Sequence, residues 1–131
     1  MRYHQKDFSG ELLKTIITTE MVLKGHIENL SLEYKSVFDK KNLVFDAGVF
    51  KVGNEPFMPE YNSSVSIGIA EENEEFNDLH TIKIWECNRY FLGMPTSKKF
   101  PGSKIIGELL DETIEDVKEE LKEYINEFLE E

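Results

Sequence analysis

Apolar residues at Leu110, Ile114, Val117, Leu121, Tyr124 and Phe128 recur at steps of 4, 3, 4, 3 and 4. This is the stripe of an amphipathic helix, and it predicts one over the C-terminal residues, held to a core by one side. Asp111 and Thr113 are both suited to cap its start, and Thr113 with Asp116 three residues on forms a capping-box pair. Glu112, Glu115 and Asp116 suit the positive end of the helix dipole. Glu127, Glu130 and Glu131 oppose it at the other end, which is expected to fray.

Upstream the pattern has period two. Leu30, Leu32 and Tyr34 alternate with Ser31, Glu33 and Lys35, and Asp39, Lys40, Lys41 and Asn42 then read as a hairpin loop. Leu43, Phe45, Ala47 and Val49 continue as the return strand, with Val44 and Phe50 on its other face. Residues 53–64 carry Gly53, Pro56, Pro59 and an Asn-Ser-Ser run, and form a loop in which Phe57 and Met58 turn back to the core. Val65, Ile67 and Ile69 make a short strand, residues 71–75 an acidic turn, and residues 79–87 the next strand. Residues 88–104, with Gly93, Pro95, Pro101 and Gly102, read as a long connection.

Residues 11–24 fit both periods. Odd positions from Leu13 to Leu23 are mostly apolar, yet Leu12, Leu13, Ile16, Ile17 and Met21 also share a helical face. The β-branched run at 15–19 favours a strand, with an N-terminal helix as the alternative. Together these elements predict an α+β fold. It is an antiparallel β-meander of about four to five strands, with the C-terminal amphipathic helix packed on one face. With no linker or repeat, residues 1–131 are expected to form a single globular domain.

Composition adds mainly electrostatics. The formal net charge is −11, and residues 104–131 hold eleven acids against three lysines, a net of −8. Such a balance argues against direct nucleic-acid binding and against anionic membrane surfaces, and favours a basic protein partner. Cys87 is the only cysteine, so neither an intramolecular disulfide nor a cysteine metal site can form. The first residues lead into no signal-like apolar run, and nothing approaches a membrane span, so a cytoplasmic location is expected.

Two segments carry candidate binding residues. On the outer face of the C-terminal helix, Glu112, Glu115, Glu119 and Glu123 gather like charges at helical spacing, which costs a few tenths of a kcal/mol per pair. Residues 83–104 are the reverse: Lys83, Arg89, Lys98, Lys99 and Lys104 face only Glu86, interleaved with Trp85, Tyr90, Phe91, Met94 and Phe100. Each has a plainer reading, as a solvated helix face and as a loop pinned by its aromatics. His4, His26 and His80 lack ligand spacing, no phosphate-binding glycine motif occurs, and Cys87 has no evident base beside it. No catalytic, metal or cofactor site is therefore assigned.

The expectation is a small acidic intracellular binding protein that inhibits or neutralises a partner by occlusion, of immunity or inhibitor type, with a nucleic-acid-acting protein as its target. Glu112, Glu115, Glu119 and Glu123 would steer encounter, and Phe91 or Met94 would anchor it. The alternative is a small-ligand domain or modest enzyme using Trp85, Arg89, Lys98 and Lys99. A third option places Leu109, Ile125 and Leu129 against a second copy; the sequence leaves the oligomeric state open.

Overall fold

The computed structural model describes residues 1–75 and 79–130. Strand β1 (Arg2–His4) and one tight 3-10 turn lead into helix α1 (Gly10–Asp39). Strands β2 (Leu43–Val52), β3 (Asn62–Glu71) and β4 (His80–Phe91) follow, then the two-residue β5 (Met94–Pro95), β6 (Lys104–Leu109) and helix α2 (Ile114–Leu129). The strands form one antiparallel sheet in the order β1-β6-β4-β3-β2, with β5 paired to β4. The α+β class, the meander through β2, β3 and β4 and the C-terminal helix are as the pattern predicts.

The N-terminal third differs from that expectation. Residues 11–24 are helical, and so are Leu30 to Lys35; both belong to the 30-residue α1, about 45 Å long. Ser9 caps its start, accepting from Leu12 N at 3.1 Å. Leu12, Ile16, Leu23, Ile27, Leu30 and Phe38 are buried at near-helical spacing, and that burial outweighs the local strand preference of the β-branched run. Thr15 and Thr19 fit the helix by donating their hydroxyls to the carbonyls of Glu11 and Thr15. Residues 39–42 are consequently a helix-to-strand turn, not a hairpin, with Asn42 at φ 61.

The connection expected over residues 88–104 is shortened at both ends and interrupted by β5: β4 takes residues 88–91, and β6 begins at Lys104. β4 runs on to Phe91, and β6 pairs with both β4 and β1, in register Cys87↔Gly107 and Tyr3↔Gly107. Leu110 therefore precedes α2; it donates its N–H to Ile84 O at 2.9 Å. Thr113 is the N-cap, and the capping box with Asp116 is complete in both directions. Glu131 lies outside the described residues.

Contacts divide the chain into two compact units. The first comprises Met1–Glu20, Phe50–Ser64 and Lys83–Asp111. Its centre is Trp85, fully buried, whose Nε1 donates to Pro56 O at 2.7 Å. The rings of Phe8 and Phe57 stack at 4.6 Å and meet the indole edge-on, and Tyr3 lies at 6.2 Å. Glu60, at φ 77, and Tyr61 together oppose Cys87, a bulge that sets the start of β3.

The second unit comprises Met21–Val49, Val65–Ile82 and Glu112–Glu131. Leu23, Ile27, Leu30 and Phe38 from α1 are buried here, as are Val65, Ile67 and Ile69 from β3 and Val117, Leu121 and Ile125 from α2. Phe38 stacks on Phe45 at 5.6 Å across the turn that ends α1.

Candidate functional site

Burial of Val117, Leu121 and Ile125 fixes the rotation of α2 about its axis. Glu115, Glu119 and Glu123 then fall on the outer face in steps of four, all exposed, with Glu112 exposed just ahead of the helix. Asp116, Glu127 and Glu130 extend the same ridge. Its one ion pair among the described residues is Lys118 Nζ to Glu115 Oε1 at 3.7 Å. Both groups are at the surface, so the pair relieves little of the repulsion. Glu120 lies on another flank and contacts His80 Nε2 at 3.2 Å, while the His80 ring stacks on Tyr124.

Lys118 and Lys122 mark the opposite flank. They act on His26, whose pKa is lowered, first by burial and then by these two cations. The charged groups on the outer face of α2 are thus all acidic, with positive charge confined to one side. Ile125 is enclosed, so the version of self-association that would use it has no exposed side chain there.

In the first unit, Phe91 pairs with Met94 across a two-residue turn in which Leu92 and Gly93 both have positive φ, 51° and 79°. A leucine in the left-handed region costs about 1 kcal/mol or more, and this one packs on little, being 86 % exposed. Met94 is 70 % exposed. Phe91 and Phe100 stack at 4.8 Å behind them. The tip is apolar, open and conformationally costly.

The expected ligand residues scatter. Trp85 is enclosed in the core and presents no face to a ligand. Arg89 is half-buried and donates to Ser103 Oγ at 3.2 Å, whereas Lys98 and Lys99 are exposed and without an ion pair among the described residues. Lys83 is tied to Glu86 at 3.0 Å; the hydrogen bond and charge raise the lysine's pKa and lower the glutamate's.

Strand pairing assembles a different basic cleft. Opposite His4 stands Ile106, and opposite Lys104 stands Tyr90, so these side chains share one face. With Arg2, Leu92, Gly93 and Gly102 they line a recess of about 400 Å³ that contains no carboxylate. Arg2 is 3.8 Å from Glu108, an exposed and loose pair. Sequence reasoning missed Arg2 and His4 because a three-residue strand has no legible period.

The most buried carboxylate among the described residues is Glu20, 2 % exposed. It accepts from Tyr61 Oη at 2.6 Å and lies 3.6 Å from Lys51 Nζ. Neither Glu20 nor Tyr61 lines the basic cleft, and the triad ties α1 to the start of β3. Cys87 is likewise enclosed, its thiol pushed up to about 11 by burial, which suppresses the thiolate. Among the described residues no group of three His, Cys, Asp or Glu side chains could hold a metal ion, and no helix is long and apolar enough to cross a membrane. No protein-family model, curated protein or solved structure matches the chain.

Proposed function

We propose that this chain is a protein-binding domain that neutralises a basic partner by occluding its working surface. The observation that supports it is the outer face of α2: exposed Glu112, Glu115, Glu119 and Glu123, opposed to a buried Val117, Leu121 and Ile125 and relieved by a single surface ion pair. Stability alone favours alternating signs on such a face. A ridge of one sign acts over about a Debye length, 8 Å at physiological salt, and raises encounter rates with an oppositely charged patch. A basic, nucleic-acid-acting target fits this charge best.

The test is capture from native host lysate with two baits, the wild-type chain and a variant with all four glutamates reversed to lysine. One stoichiometric basic protein that is retained at low salt, weakened at high salt and lost from the variant supports the reading. Equal capture by both baits, or no salt dependence, refutes it.

The carboxylate-free cleft of Arg2, His4, Tyr90 and Lys104 favours a second reading, a small anionic ligand held by a chain that is otherwise acidic. Phosphate and mononucleotide titrations separate the two. A thermal shift abolished by Lys104→Glu supports the ligand reading. No shift with either probe removes it.

A further inference from the structure

The outward side of α1 carries two large apolar residues in solvent. Leu23, Ile27, Leu30 and Phe38 define its core face, and Met21 and Leu32 point the other way, 67 % and 84 % exposed. A helix solvated on its outer side has polar residues there. Gly25 adds to the anomaly. Glycine in a helix interior is unfavourable relative to alanine, yet a Cβ at this position meets nothing within 4 Å in the chain. Internal packing therefore does not require the smallness of residue 25.

We propose that this face is the interface of a homodimer, two copies of α1 running antiparallel about a two-fold axis at the level of His26. That register sets Met21 of each copy beside Leu32 of the other. It also sets Lys24 beside the other copy's Glu28, twice by symmetry. Lys24 and Glu28 are both exposed and form no ion pair among the described residues, so each is free to pair across the axis. Gly25, next to the axis, permits the two backbones to approach closely. Alongside, Glu28, Leu32 and Lys35 border a groove of about 530 Å³ against Ala47, Gly48 and Val49, mostly apolar, which receives the partner's Met21.

Charge selects the occupant. Two chains of net −11 repel across any acidic face. The stripe Met21, Lys24, Glu28, Leu32 and Lys35 carries no net negative charge, and its order of charges is complementary to itself only when antiparallel. A second copy satisfies both conditions with no further assumption.

Sedimentation equilibrium across a concentration series tests this. The wild-type chain should sediment as a dimer at high concentration. Lys24→Glu and Glu28→Lys, each alone, place like charges together at both contacts and should weaken self-association by roughly tenfold or more. Mixed one to one, the two variants present opposite charges at both contacts, and the dimer mass should return. Circular dichroism on each variant establishes that the exposed substitution leaves the fold intact. A wild-type chain that stays monomeric at its highest soluble concentration overturns the proposal and leaves the face to another protein. So do single reversals without effect, or a mixture that stays monomeric.

Discussion

Tyr61 donates its phenolic proton to Glu20 Oε2 at 2.6 Å, across 41 positions of sequence. Both side chains are buried, and Lys51 Nζ lies 3.6 Å from the carboxylate. Tyr61→Phe strips the carboxylate of its closest donor and should cost about 1–3 kcal/mol at neutral pH. The phenol pKa lies well above its ordinary 10, because burial and then the Glu20 hydrogen bond and charge favour the protonated form. A raised pKa in the fold means that this contribution is complete below pH 10 and is lost as pH climbs beyond it. Urea denaturation followed by circular dichroism at pH 8 and pH 11 should show the gap between wild type and variant narrowing at the higher pH.

Gly107 runs directly beneath the Trp85 ring, where an added Cβ would lie 2.1 Å from the indole carbon Cη2. Neither the central strand nor the enclosed indole can give way cheaply. Gly107→Ala should destabilise by about 3 kcal/mol, at the upper end for overpacking. Gly10→Ala is the control: nothing lies within 4 Å of its Cβ, and its denaturation midpoint should stay near that of wild type.

The reciprocal cap at the start of α2 predicts a smaller loss. Asp116 N donates to Thr113 Oγ1 at 3.1 Å, and Thr113 N to Asp116 Oδ2 at 3.4 Å. Thr113→Ala should cost about 1 kcal/mol, and Thr113→Ser most of nothing, measured by the same denaturation.

Leu92 sets stability against binding. Leu92→Asn relieves the left-handed strain at φ 51 and should raise stability by about 0.5–1 kcal/mol. If the tip anchors a partner, the same change weakens capture from lysate. A variant that is more stable and captures equally well would remove residues 92–94 from the interface.

Much of the second half of the fold was legible in the residues. The strands around Val65 and Ile82 and the box of Thr113 with Asp116 follow from short-range pattern alone. α1 did not, because residues 15–19 are locally strand-like, and only the long stripe from Leu12 to Phe38 decides for helix. β6 was obscured by Gly107, a strand-weakening residue that the fold demands because the Trp85 ring occupies its side-chain space. The carboxylates of α2 were readable as a surface, since helical spacing places them. The basic cleft was not, because it depends on β1 joining β6 across about a hundred residues of sequence.

Trp85 is the only tryptophan in the chain, and its indole is enclosed by Phe8, Phe57 and Tyr3 within the first unit. Tryptophan emission, excited selectively beyond the tyrosine absorption band, therefore reports on that unit alone, while the helical ellipticity draws also on α2, which belongs wholly to the second. Coincident curves from the two signals mean one cooperative transition. Separated curves mean that an emission change localises damage to one half of the molecule, so the chain carries its own positional probe and needs no added label.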